Sequence, residues 1–251
     1  MTSWSWAQAG GAFASFGDAF IAAETPIPWA ALDPAALPAD ERERTRRAWV
    51  RRAHDEYRSM IAFSELLAEL GELAAPLDVL ACAARVVRDE TRHVQLCARV
   101  VTCLGGPGQA PGEPRWVRSD KRLPVRERVA RTLVESLAVG ESLSVAMIAA
   151  ARAETVHETL RAVTGEILAD ESFHGRFGMA WVHRFWMELP FSTRLAIENR
   201  LPGLFGALER EHVQMRPELF DRTMRERIVP ELCAAGVRAD VAWERRAECV
   251  A

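Results

Sequence analysis

The sequence predicts an all-α protein: a four-helix bundle with one long crossover, plus an N-terminal arm and extra C-terminal helices. Three observations predict it. Four long segments repeat apolar residues at three- and four-residue spacing, the period of one helix face. Proline and glycine fall at the ends of those segments. No stretch alternates apolar and polar residues as a half-buried strand would. With 251 residues, 49% hydrophobic, the chain is long enough to bury a large core.

Residues 1–39 read as an arm. They are rich in Ala, Gly, Pro and Trp, and TPIPWAALDPAALPAD is too proline-punctuated for one regular helix. Trp4, Trp6, Phe13, Phe16, Phe20 and Trp29 make the arm apolar, so it is expected to hold one short helix and pack on the body. Residues 40–188 form the bundle. Asp40 and Glu43 predict an N-cap and capping box for the first helix, with Gly71 as its stop. Pro76 opens a second helix that ends at Gly105-Gly106. The proline- and glycine-rich stretch PGQAPGEPRWVRSDKRLP is the crossover. Pro124 opens a third helix, to about Ala153, and a fourth runs from about His157 to Glu188. Residues 189–251 are read as two or three shorter helices of the same compact domain, broken at Pro202, Pro217, Pro230 and Gly236.

Composition excludes several classes. A net charge of −3 leaves no basic footprint for nucleic acid. No apolar run approaches the ~20 residues of a bilayer span, and the N-terminus lacks a basic n-region, so neither membrane nor signal peptide is expected. The five cysteines, Cys82, Cys97, Cys103, Cys233 and Cys249, are odd in number and include no C-x-x-C. They read as reduced thiols in a cytoplasmic protein.

The chemistry lies in two short strings, DETRH at 89–93 and DESFH at 170–174. Each places a His three residues after a Glu, on one helix face. The four stripes show why this matters. The first is Trp49, Ala53, Glu56, Met60, Phe63, Leu67 and Leu70. The second is Val79, Ala83, Val86, Glu90, His93, Cys97, Val100 and Leu104. The third is Val134, Ala138, Glu141, Val145 and Ile148. The fourth is Leu160, Thr164, Ile167, Glu171, His174, Gly178, Trp181 and Phe185. Each stripe is apolar except near its middle. Folding each helical hairpin about its turn brings its Glu residues to one height, at ~1.5 Å rise per residue. Buried carboxylates are costly and repel one another, and divalent cations offset both costs. Glu56, Glu90, His93, Glu141, Glu171 and His174 are therefore the candidate metal ligands.

The bare Glu-x-x-His pattern is weak, because Glu154 with His157 and Glu209 with His212 also match it. Both lie in polar strings off any apolar stripe and read as surface pairs. Glu65 and Glu135 point away from the chosen faces. Asp89 and Asp170 precede two ligands and are candidates to accept the free ring N–H of the opposite helix's His. Arg92 is a candidate to join that network. Met60, Phe63, Ala138, Val145, Gly178 and Trp181 are candidates to line a cavity beside the metals.

The ligand set resembles that of the ferritin-like dimetal-carboxylate superfamily: one Glu from each of two helices, and Glu-x-x-His from the other two. DETRH is similar to the Asp-Glu-x-Arg-His of bacterial multicomponent monooxygenases. EYRSMIAFSELLAELGELAAPLDVL followed by DETRH resembles a group of uncharacterised ferritin-like proteins from myxobacteria and actinobacteria. The likeness covers residues 40–188. It departs from amine N-oxygenases at Ile167, where they carry a further His, and it lacks the cysteine pairs of rubrerythrins. The resemblance implies a non-haem diiron oxidase or oxygenase using O₂ on a small organic substrate, with two iron ions, an electron donor, and a homodimer as one assembly. The alternatives are a di-manganese or mixed manganese–iron centre, a manganese catalase, an iron-storing protein, or a helical interaction protein without catalysis.

Overall fold

The structure is a computed structural model, and it describes residues 4–5, 26–106, 109–110, 119–212 and 215–249. The described chain is all-α. The one exception is a two-residue antiparallel pairing of β1 (Trp4–Ser5) with β2 (Gln109–Ala110). Most of the apolar arm, including Trp6, Phe13, Phe16 and Phe20, lies outside the described residues. The part that is described forms two 3₁₀ turns, Trp29–Ala31 and Pro34–Ala36.

The four expected long helices are α1 (Ala39–Glu72), α2 (Leu77–Cys103), α3 (Val125–Glu154) and α4 (Glu158–Phe185). Four shorter helices follow: α5 (Phe191–Glu198), α6 (Leu201–His212), α7 over 217–234, and α8 (Ala239–Arg245). The chain divides into two compact units. Residues 1–119 with 152–167 make the first, and 120–151 with 168–251 the second. The boundaries fall just before α3, within α3 and within α4.

Prolines start four of the helices, Pro76 and Pro124 as expected and Pro38 and Pro190 in addition. Pro38, Pro76, Pro124 and Pro190 each sit at the N-cap, with φ near −53° and ψ between 141° and 145°, and none makes a side-chain cap. The pyrrolidine ring fixes φ, so the chain leaves each proline already set for the first turn. Asp40 is therefore not the N-cap. It lies in the first turn of α1 and pairs with Arg44, while Glu43 pairs with Arg46.

Gly71 does not stop α1. The helix continues to Glu72, and the residue that turns left-handed is Ala74, at φ 50°. Gly105 does end α2, at φ 73°, with Gly106 N–H donating to Val101 O. In the tail, Pro202 and Pro217 lie in the first turns of α6 and α7 and interrupt neither. Pro230 lies inside the continuous run 217–234, next to a π-helical turn at Met224–Ile228 that spares its missing N–H. Gly236, at φ 92°, ends that run as expected.

In the first unit α1 and α2 pack along their length. Leu66, 1% exposed, takes the core position expected for Leu67, which is half-buried. Ala83, Val86, Cys97, Val100 and Leu104 on α2 are buried as the stripe required. Thr159 at the start of α4 donates to Pro28 O at 2.8 Å, and the Arg99 guanidinium lies 4.5 Å over the Trp29 ring. These contacts hold the described end of the arm, together with Arg42 of α1, which donates to Pro34 O at 3.0 Å.

In the second unit α3 is not a plain α-helix. Residues Thr132–Glu141 wind as a π-helix between two α-helical segments. The backbone of this segment touches α4 at Gly178. A Cβ there would lie 2.4 Å from Ala138 N and 2.6 Å from Leu137 C, so only glycine fits. The tail helices add their own core around Phe205, Phe220 and Trp243, each at most 2% exposed. Trp186 donates to Gly236 O at 3.1 Å.

The expectation that no segment is long and apolar enough to cross a bilayer is overturned for one helix. Val125–Glu154 meets that test by length and composition. Its Leu133, Val134, Leu137, Ala138, Val139, Leu143 and Ile148 are buried in the protein, which fits a core helix.

Two substitutions test this packing. Gly178→Ala forces a methyl group into backbone and is expected to lower stability by about 1–3 kcal/mol. Ala74→Gly relieves the left-handed strain and is expected to raise it by up to about 1 kcal/mol. Thermal melts of the two variants should move in opposite directions.

Candidate metal centre

Each unit, taken by itself, buries two carboxylates against one imidazole. In the first unit Glu90 and His93 are three residues apart on α2, so both project from one face. Both are 0% exposed. Glu56 comes from α1 and is 6% exposed. His93 Nδ1 lies 3.5 Å from Glu56 Oε2 and 3.9 Å from Glu90 Oε2. One ligand atom from each of the three falls within 4.8 Å of the others.

The second unit repeats the arrangement. Glu171 and His174 are three apart on α4, at 2% and 0% exposure. His174 Nδ1 is 3.2 Å from Glu171 Oε2. Glu141 is the last residue of the π-helical segment of α3 and is 9% exposed. These three also offer ligand atoms within 4.8 Å of one another. All six residues read from the sequence are thus buried, and they fall into two triads of the same composition.

The donor chemistry fits a divalent metal. Two carboxylates and a neutral imidazole suit iron, manganese or zinc. Buried in apolar surroundings, two carboxylate charges would otherwise cost several kcal/mol. A buried group of Glu and His residues here could therefore hold metal ions.

The surroundings of the first triad are strongly ionic. Arg52, one turn before Glu56, donates from Nε to Glu56 Oε1 at 3.1 Å. Asp89 is 0% exposed and accepts from Arg85 at 3.2 Å and from Arg88 at 2.8 Å. Arg92, 8% exposed, reaches Glu166 on α4 at 2.5 Å. Cys97 is fully buried one turn beyond His93. Burial pushes its thiol well above the ordinary range, and the charges of Glu56 and Glu90 add to that, so it stays a neutral, hydrophobe-like group. In the second unit Asp170 is half-buried.

The competing acids are used elsewhere. Glu65 and Glu69 accept from the backbone N–H and the hydroxyl of Ser119, at 2.9 and 3.0 Å. Glu135 pairs with Arg200 at 2.7 Å. Glu154 is exposed, Glu209 accepts from Arg246, and His212 stacks on Phe220. Neither extra Glu-x-x-His pair belongs to a triad.

Among the cavity candidates, Phe63 and Trp181 are buried, and Met60 and Val145 are half-buried. Ala138 and Gly178 meet each other across the helix contact, so the small residues there serve close packing and leave no space. A cavity of about 330 Å³ lies among the tail helices, lined by Arg225, Val229, Asp240, Val241, Trp243 and Glu244, and no triad residue lines it.

Sequence reasoning missed Arg52, Glu166, Glu69 and the π-helical turn. Arg52 was within reach of the i,i+4 rule applied to Glu56. The ion pair of Arg92 with Glu166 joins residues 74 apart, which no local pattern reports. No protein-family model, curated protein or solved structure matches the chain. The fold and the two triads therefore carry the functional reading.

The burial of Glu90 has a testable sign. In metal-free protein Glu90→Gln removes a buried charge and is expected to raise the melting temperature, by ~2–4 °C per kcal/mol relieved. The same variant should lose most of the stabilisation that added metal gives the parent protein. A lower metal-free melting temperature with the metal effect intact would contradict this account.

Proposed function

We propose that the two triads form one dinuclear metal centre of ferritin-like type, and that the protein is an O₂-dependent oxidoreductase acting on a small organic molecule. The carrying observation is the pair of buried Glu–Glu–His triads. Helix register supports the pairing of carboxylates within each triad. Glu141 lies 13 residues before the end of α3, and Glu171 lies 13 after the start of α4. Glu56 lies 16 before the end of α1, and Glu90 lies 13 after the start of α2. At ~1.5 Å per residue all four stand some 20–24 Å from their turns.

Bound there, two irons would supply the redox chemistry that O₂ needs and no side chain offers. The chain's own part is electrostatic and steric. Glu56, Glu90, Glu141 and Glu171 provide anionic oxygens that balance the metal charge. His93 and His174 provide neutral nitrogens. Asp89, held by Arg85 and Arg88, keeps an ionic network next to Glu90 on α2. The apolar residues above and below each triad keep water out, which strengthens every charge interaction inside. Substrate and electron donor reach the site from outside the chain.

Purification under air with iron supplied is expected to yield about two irons per chain. Glu171→Ala and His174→Ala should each lower that number. The iron-loaded protein with a reductant should consume O₂. Iron content well below about one per chain, unchanged by both substitutions, would overturn the metal assignment. Peroxide disproportionation by a manganese-loaded form, without O₂ uptake, would replace the oxidase reading with a catalase.

A further inference from the structure

Arg52 and Glu56 are an ion pair four residues apart on α1, with the cation on the N-terminal side. That order is the weaker one for helix stability. The pair also spans very different surroundings. The Arg52 side chain is 27% exposed and the Glu56 side chain 8%. The guanidinium thus reaches inward from the rim of α1 to a carboxylate in the first triad. It takes one oxygen only: Arg52 Nε meets Oε1 at 3.1 Å, whereas Oε2 is the atom 3.5 Å from His93 Nδ1.

We propose that Arg52 is a positioning residue for the metal centre, holding Glu56 by Oε1 so that Oε2 is the oxygen offered beside His93. The inference rests on the dinuclear reading of the triads. It follows from the division of labour between the two oxygens. A free carboxylate on a flexible glutamate side chain can rotate and present either oxygen or both. A guanidinium donor on Oε1 removes that freedom and leaves Glu56 with one defined acceptor. A lost partner of this kind typically weakens metal binding by about 10–100-fold. Lysine at the same position keeps the charge and a donor, though not the planar fork.

The test uses metal-free full-length protein titrated with Co(II), which reports affinity by calorimetry and ligand field by its visible spectrum. Wild type is expected to bind about two equivalents. Arg52→Ala and Arg52→Gln should weaken one equivalent by about 10–100-fold, change its visible spectrum, and leave the other unchanged. Arg52→Lys should restore part of the affinity. Circular dichroism of the metal-free variants should match wild type, which separates positioning from folding. Two equivalents bound by Arg52→Ala with wild-type affinity and spectrum would overturn the proposal and leave the dinuclear reading standing. Lysine behaving no better than alanine would also overturn it. Failure of wild type to bind Co(II) at all would overturn both.

Discussion

Two carboxylates beside one imidazole, sealed among apolar side chains, are the constraint that shapes this protein. It occurs twice, once in each unit. An ionised carboxylate in such surroundings costs several kcal/mol unless a cation meets it. Helices α1 and α2 carry their burden through Ala53, Phe63, Val86 and Val100, which bury fully around Glu56, Glu90 and His93. Residues that contribute most to stability elsewhere are absent at these six positions. A sequence selected only for stability would place leucine there, so a compensating ligand is the simplest physical account.

The arginines around the first triad extend that account. Arg85 and Arg88 neutralise Asp89, Arg52 meets one oxygen of Glu56, and Arg92 meets Glu166. All but Arg92 have exposed or half-exposed side chains and reach inward, so water still solvates part of each cation. The buried acids thus gain a counter-charge without a fully buried arginine. The DESFH string has Phe173 where DETRH has Arg92, and Phe173 packs on Phe177 with ring centroids 6.4 Å apart. One string is followed by ionic contacts and the other by aromatic ones, although their ligand residues are the same.

Much of this was legible in the sequence because it depends on helical periodicity. The period places Glu90 with His93 and Glu171 with His174 on one face each, and Pro76 and Pro124 mark two helix starts. Val86, His93, Cys97 and Val100 were readable as one stripe for the same reason. What escaped depends on contacts or backbone detail. The π-helical turn at Thr132–Glu141 is a backbone detail that no residue spacing reports, and Val145 is half-buried where a core position was expected. Gly178 looked like the wall of a cavity, but its role is set by the backbone of Ala138, far away in sequence. Gly71 looked like a stop, yet Ala74 makes the left-handed turn. Glu69 carries no pattern that would single it out, yet it is 4% exposed and accepts from the hydroxyl of Ser119, 50 residues away.

The central claim is that six named side chains hold two metals, three to each. Anomalous diffraction at the iron edge from crystals of the iron-loaded protein tests it most directly. The account predicts two strong peaks, one at bonding distance (~2.0–2.2 Å) from donor atoms of Glu56, Glu90 and His93, and one likewise from Glu141, Glu171 and His174. Iron found only on surface carboxylates, with no peak beside either His93 or His174, would contradict it.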